Sequence, residues 1–397
     1  MHCKQVKNKS GWVWECFSDG PRNPATGKRR LIKRRGSTKG EAKKRVELAI
    51  SELKENRFIH DVNVTFDKLA NKWLELYETT GVKRSTIRIR ILEIKLANKY
   101  LAKVPVSEIT HYMYQGMLTD LNDKGYARNS IIGVNASVNL VFKYAVKNRL
   151  IKSNPGQDIV IPKRTVTVDE LESDELQSFY FERHELDLFL KEVINLGMRL
   201  DKEWFYTLAF SGMRPGEMIA LKKQDLNFED NTIRVSKTMY NEENTIKGYM
   251  LNTTKTNQMR TIGMSPKVMQ MLKYLVRKND VHKMKYRRQI TDFHDADFVF
   301  QRKNGYPYTT QNVYYRMKRV LKLIKIKKKL TPHSFRHTHI TMLAESGTDL
   351  STIMERVGHV DPNTTLKVYT HITDKMKKKS IKNIDLSYDH ILDNLGR

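Results

Sequence analysis

Cysteine is nearly absent: Cys3 and Cys16 are the only two in 397 residues, and neither stands near a second Cys or a His cluster. That spacing is neither a disulfide framework nor a zinc pattern, so a pair of free thiols in a reducing compartment is expected. Long apolar runs are missing as well. None approaches the roughly 20 residues a bilayer-crossing helix requires, so no membrane partner is expected. The start of the chain lacks the basic, apolar and small-residue succession of a signal peptide, which makes the cytoplasm the expected location. No Asp/Glu cluster suggests a two-metal site, and no cofactor is expected. Neither an internal repeat nor a low-complexity segment is present.

Acid is scarce relative to base. Forty-four Asp and Glu face 72 Lys and Arg, a formal charge of +28. Such a chain repels itself, and a polyanion is its natural counterpart. The charge is spread along the chain and not gathered on one amphipathic helix or tail, which argues against a membrane surface.

Residues 1–60 form the first expected unit, with sixteen Lys and Arg against six acids. Short apolar runs alternate with turn residues from Gly11 to Arg35, which predicts two or three antiparallel strands. A helix from about Thr38 to Leu53 follows, capped by Ser37 or Thr38 with Glu41 in its first turn. Trp12, Trp14 and Phe17 lie among the bases, and Arg29, Arg30, Lys33, Arg34 and Arg35 crowd one strand. A basic sheet of this kind fits the major groove of duplex DNA. Residues 62–155 read as four helices with short links, a compact bundle. Phe66, Leu69, Ala70, Trp73, Leu74 and Tyr77 line the first, and Ile87, Ile91, Ile94 and Leu96 the second. Arg84 and Arg88 begin a basic side on that second helix. A linker is expected at 156–170. Beyond it the pattern is mostly helical, from Leu171 to Tyr180, from about Leu186, at Asp201–Ser211, 266–278, 310–323, 332–346 and 349–357. One small antiparallel sheet is expected between, over 232–240, 249–251 and 260–264. The fold class is thus multidomain α+β: a β-rich N-terminal domain, a helical bundle and a mostly helical domain with a small sheet.

Five short stretches stand out. In Ser211-Gly212-Met213-Arg214-Pro215-Gly216-Glu217, Arg214 sits at a helix-to-helix corner, a sensible phosphate clamp, with Glu217 either orienting it or merely capping. Asn252-Thr253-Thr254-Lys255-Thr256 places Lys255 on a turn between two strands, unremarkable by itself in so basic a chain. Thr331-Pro332-His333-Ser334-Phe335-Arg336-His337-Thr338 sets His333 and Arg336 one turn apart on a proline-started helix, with His337 off that face. Arg356-Val357-Gly358-His359 closes a helix and leaves His359 in the turn. Last comes Thr364-Thr365-Leu366-Lys367-Val368-Tyr369-Thr370-His371, where Tyr369 alone reads as an ordinary packed aromatic.

Taken in order, these stretches resemble the catalytic domain of the tyrosine recombinases, and especially the integrases of temperate phages and conjugative transposons. That family's pattern is an arginine followed by Gly-Glu, a lysine in a β-turn, His-x-x-Arg at a helix start, Gly-His, and a tyrosine shortly after. Arg214, Lys255, His333, Arg336, His359 and Tyr369 match it in order. Val357, where leucine is common, and Asp361-Pro362-Asn363 depart from it without touching a catalytic position. The resemblance implies a catalytic domain at 171–380, a core-binding domain at 62–155 and an arm-binding domain at 1–60. It further implies core-type and arm-type sites on double-stranded DNA, a tetramer on DNA, an excisionase and a host DNA-bending protein as partners, and work at the nucleoid. Residues 381–397 either pack on a neighbouring protomer or fold back.

The implied chemistry makes Tyr369 the nucleophile, giving a 3′-phosphotyrosine link, and Lys255 the acid for the departing 5′ oxygen. Arg214 and Arg336 suit the nonbridging oxygens, and His333 is the best base candidate. His359 hydrogen-bonds the phosphate or steadies the tyrosine. Relaxation of supercoils by a type IB topoisomerase-like enzyme uses the same chemistry. A DNA-binding protein without activity and a chromosome-dimer resolvase are the other readings. The six matched residues weigh against the first of these, and the basic N-terminal unit against the second.

Overall fold

The computed structural model describes residues 1–8, 11–22, 29–55, 64–163, 179–242, 245–359, 361–362, 365–366 and 369–370. Contacts divide the chain into two compact units, Met1–Arg164 and Thr165–Arg397. The expected linker at 156–170 spans that division. The expected helix at 171–180 falls almost wholly outside the described residues, as does the segment 381–397.

The first unit contains two separate cores. Strands β1 (His2–Asn8), β2 (Gly11–Arg22) and β3 (Arg29–Gly36) form an antiparallel sheet in that order. Helix α1 (Lys39–Glu55) lays Ala42, Val46 and Ala49 over Cys16 and Ile32. Its start is tied as the sequence suggests: Thr38 Oγ1 accepts from the Glu41 N–H at 3.2 Å, and Glu41 Oε2 accepts from the Ser37 N–H at 2.9 Å. The cysteine expectation is corrected. Cys3 stands directly across from Cys16 in the β1–β2 ladder, and the two sulfurs are bonded. Antiparallel register creates that juxtaposition, and linear spacing does not display it.

Register also sorts the basic residues, because facing partners share a side of the sheet. Arg34 is opposite Cys16 and so lies with Ile32 on the α1 side, where it lines a cleft with Glu41, Lys44 and Arg45. Lys33, opposite Phe17, and Arg35, opposite Glu15, occupy the open side. By alternation Arg29 joins the open side and Arg30 the α1 side.

The second core is a bundle of α2 (Phe66–Glu78), α3 (Arg84–Leu101), α4 (His111–Asp123) and α5 (Arg128–Lys147). Phe66, Leu69, Ala70 and Trp73 are buried as their spacing predicts, with Leu74 and Tyr77 packed at the edge. Ile87 and Ile94 are buried too, but Ile91 is 42% exposed and outside the core. The inner stripe of α3 runs through Ile87, Ile94, Ala97 and Leu101, which turns Ile91 outward. Arg84 and Arg88 are exposed on the first turns of α3.

In the second unit the core is built around α7 (Asp201–Ser211), whose Trp204, Phe205 and Leu208 are fully buried. Around it lie α6 (Arg183–Leu196), α8 (Pro215–Ile219), α9 (Pro266–Tyr286), α10 (Thr310–Leu323), α11 (Ser334–Glu345) and α12 (Leu350–Val357). Its buried apolar residues are covered by these neighbours, while Lys202 and Phe210 keep contact with solvent. The single expected sheet is two. Strands β4 (Leu226–Asn227), β5 (Thr232–Val235) and β8 (Arg260–Gly263) form one, and β6 (Lys237–Asn241) with β7 (Tyr249–Thr253) forms the other. The break at Ser236 separates β5 from β6, so the turn after β7 crosses from one sheet to the other.

Candidate active site: an arginine pocket in the second unit

Helix α7 ends at Gly212, which adopts φ +64°. A side chain there would be strained, and its Cβ would lie 2.6 Å from the His339 ring. The chain then turns through Met213 to Arg214, the N-cap of α8, with Pro215 at its first position. Glu217, 1% exposed, reaches back into this corner. Its Oε2 accepts from the Arg214 backbone N–H at 2.9 Å, and its Oε1 accepts from Arg214 Nη1 at 2.9 Å. Arg260 of β8 holds the same carboxylate with Nη2 at 2.7 Å and Nη1 at 3.3 Å. Burial pushes the Glu217 carboxyl up, but the Arg260 bond and charge, joined by those of Arg214, leave it below the ordinary carboxylate range. Glu217 therefore does both: its bond to the Arg214 N–H caps α8 and its bond to Nη1 orients the guanidinium, while its burial excludes a surface carboxylate.

Arg336 is completely buried. Its Nη1 donates to the Gly212 carbonyl at 2.9 Å and its Nε donates to His359 Nε2 at 3.2 Å. Its Nη2 has no hydrogen-bond partner among the described residues. Burial first, and then the Arg214 charge, lower its pKa to about 9, so it remains a cation at neutral pH. Three guanidiniums, Arg214, Arg260 and Arg336, thus surround one carboxylate, an excess of two positive charges. A buried donor left open is costly, and an anion supplies what is missing.

The histidines are neutral. Burial and the Arg336 and Arg214 charges lower His359 to about 3. Since Arg336 can only donate, His359 Nε2 is the acceptor, and Nδ1 carries the proton to Thr365 Oγ1 at 2.6 Å. Both ring nitrogens are therefore engaged, and in this state His359 steadies Arg336 instead of presenting itself to a phosphate. His333 is the N-cap of α11, one residue ahead of the helix on which it was expected. Partial desolvation, then His337, Arg336 and Arg214, lower it to about 4. Its ring keeps contact with solvent, which moderates the desolvation part. His337 stands edge-on to it, with ring centroids 5.1 Å apart. His339 is a packing residue, fixed by Ala209 O at 2.9 Å and by Arg356 Nε at 2.9 Å.

Arg214, His333, Arg336 and His359 are thus brought together, each histidine and Arg336 feeling the Arg214 charge. Lys255 is exposed in the turn between β7 and β8 and forms no ion pair among the described residues. Beneath it Thr254 is buried, with Oγ1 donating to Gln258 O at 2.7 Å. Tyr369 is half-buried against the cluster of Ile340, Ala344, Ile353 and Val357 from α11 and α12. Arg260 and Thr365 belong to the site and escape a reading of the sequence. Nothing marks Arg260 among 72 basic residues until β8 carries it beside Glu217.

Residues 180–376 match the sequence profile of the phage integrase family. The chain is 30% identical over 327 residues to the probable integrase of prophage ps2 in Lactococcus lactis, covering 80% of this chain and 82% of that protein. It is also 30% identical over 355 residues to the integrase of Staphylococcus phage L54a, covering 84% and 97%. The chain belongs to the phage integrase family. It is a tyrosine site-specific recombinase. Among solved structures, the Tn1549 transposon integrase in complex with transposon right end DNA superposes with a TM-score of 0.63 at 24% identity, covering 81% of this recombinase and 99% of that chain. A lambda integrase dimer bound to a core site gives 0.55 at 16%, covering 92% and 94%. Both show that this recombinase shares their fold. No helix among its described residues is long and apolar enough to cross a membrane.

Proposed function

We propose that this recombinase integrates and excises a mobile element by cutting and rejoining duplex DNA through a 3′-phosphotyrosine link at Tyr369. The observation that carries the reading is the open Nη2 of a fully buried Arg336 in a pocket with more cations than anions. A phosphodiester gains charge on its nonbridging oxygens as the phosphorus becomes pentacoordinate. Arg336 Nη2 and the partly exposed Arg214 guanidinium supply donors to those oxygens, and the bonds strengthen as charge develops. Each such donor contributes on the order of 3 kcal/mol.

The roles divide by chemistry. Tyr369 attacks the phosphorus, and because a phenol titrates near about 10 it needs an acceptor for its proton. His333, neutral and solvent-accessible, is that acceptor. His359 fixes the Arg336 plane. Lys255, on an exposed turn, swings to protonate the departing 5′ oxygen. The link conserves the energy of the broken bond, so religation to a new strand needs no nucleotide. Duplex DNA is the partner. Core-type sites are bound through the bundle at 62–155, including Arg84 and Arg88, and the domain at 171–380. Arm-type sites are bound through 1–60, where Arg29, Lys33 and Arg35 supply charge from the open side of the sheet, while Arg30 and Arg34, expected from the sequence to join them, lie on the α1 side. Four protomers, an excisionase and a host DNA-bending protein complete the assembly on nucleoid DNA. The test is a nicked duplex carrying the end of the element that encodes the chain. A detergent-stable protein–DNA adduct is expected, and Tyr369→Phe abolishes it.

A further inference from the structure

We infer that Arg260 is a positioning residue for strand cleavage, holding Glu217 and the Gly358–His359 corner so that Arg214 and Arg336 face one phosphate together. This rests on the cleavage reading above and adds a component to it. Arg260 is the first residue of β8 and its side chain is 9% exposed. Two of its nitrogens hold Glu217, and its Nε donates to the Arg356 carbonyl at 3.0 Å. One guanidinium thereby ties β8, α8 and the end of α12. It also anchors the far end of the turn that carries Lys255.

The arrangement exceeds what charge balance requires. Arg214 alone neutralises Glu217, and burying a second arginine beside it carries a desolvation cost. What the second arginine adds is geometry. With both carboxylate oxygens held, Glu217 cannot rotate, and Arg214 keeps a fixed plane. On the other side, a Cβ at Gly358 would lie 3.0 Å from Arg260 Nη1, so the guanidinium is packed against the backbone that leads into His359. Arg214 Nη2 reaches the Gly358 carbonyl at 3.5 Å, and His359 holds Arg336. Arg260 spends its donors on protein groups, so it acts through Arg214 and Arg336 and not on the DNA.

Single-turnover cleavage of the nicked duplex, followed from pH 5 to 8 for the wild type, Arg260→Gln and Arg260→Lys, tests this. Arg260→Gln is expected to cleave roughly 100-fold more slowly at pH 7, the scale of a misplacement of about 1 Å, with DNA affinity unchanged. Its residual rate should climb with pH more steeply than the wild type's. Glu217, faced by Arg214 and Arg260 and within the field of His333 and Arg336, owes more of its lowered pKa to Arg260 than to Arg214, so its carboxyl moves up when that charge is removed. Arg260→Lys restores the charge without the fork, so it should lose the pH-dependent climb while remaining slow. Wild-type rates in Arg260→Gln overturn the inference. So does a loss equal at all pH values that tracks a lower melting temperature or weaker DNA binding. Tyr369→Phe in the same assay reports separately on the cleavage reading: an adduct there removes that reading whatever Arg260 does.

Discussion

Arg336 shows why the pocket is poised and not merely charged. A buried guanidinium with one unpaired nitrogen is unstable by itself, and its histidine neighbours avoid adding to the problem by remaining neutral. His359 and His339 both accept from an arginine, which fixes the proton on Nδ1 and rules out the imidazolium. For His339 this has a consequence for stability. Its folded pKa is lowered to about 4, by burial first and then by Arg356 and Arg336, against about 6.5 unfolded. Between those values the unfolded chain binds a proton that the folded chain refuses. Stability is therefore full above pH 6.5 and falls as the pH drops toward 4, by on the order of 3 kcal/mol in all. Urea unfolding at pH 7 and pH 5 should show the second unit weakening, and His339→Gln should flatten that slope. An identical slope in the variant would place the titration elsewhere.

At the scale of elements, two glycine corners bring the pocket residues into reach. Gly212 and Gly358 both hold left-handed backbone, and each stands between a helix end and a site residue. Gly358→Ala should cost about 1 kcal/mol from backbone strain alone. Because its Cβ would meet Arg260, it should slow adduct formation by more than that loss of stability explains. Denaturant unfolding alongside the cleavage rate checks this, and a rate unchanged in the folded variant would contradict it. The N-terminal sheet makes a second prediction. Lys33→Gln and Arg29→Gln, on its open side, should each flatten the dependence of arm-site binding on salt by about 0.9 in log–log slope. Arg34→Gln, in the cleft beside α1, should leave that slope unchanged. Equal effects from both sides would mean that the open face is not the one that meets DNA.

Much of this was legible in the sequence, and the rest was hidden for definite reasons. Helix α7 and the apolar side of α2 follow from periodicity, which local sequence carries. The start of α1 follows from Ser37, Thr38 and Glu41, which act within one turn. Register and long-range pairing are not local, and there the reading failed. It missed the Cys3–Cys16 bond, the division of one sheet into two, and the outward turn of Ile91. The set Arg214, Lys255, His333, Arg336, His359, Tyr369 was visible because the six follow one family's order, although Lys255 and Tyr369 carry no signal alone. Arg260 was not, since an arginine on a strand in a chain of net charge +28 has no local signature.

On the scale of the whole molecule, that charge and the two compact units describe a chain built to hold a polyanion, with the reacting groups confined to the second unit. On the proposed reading the pocket binds the phosphate and stabilises its charge. The bond itself falls, on that reading, to Tyr369, which packs on the apolar cluster of α11 and α12. The most direct measurement is to mix the chain with a nicked duplex bearing its element's end, denature in detergent, and resolve the products. The account predicts a covalent adduct and a released strand with a free 5′ hydroxyl, the adduct lost in Tyr369→Phe and reduced roughly 100-fold or more in Arg336→Lys. An adduct that persists in Tyr369→Phe would contradict it.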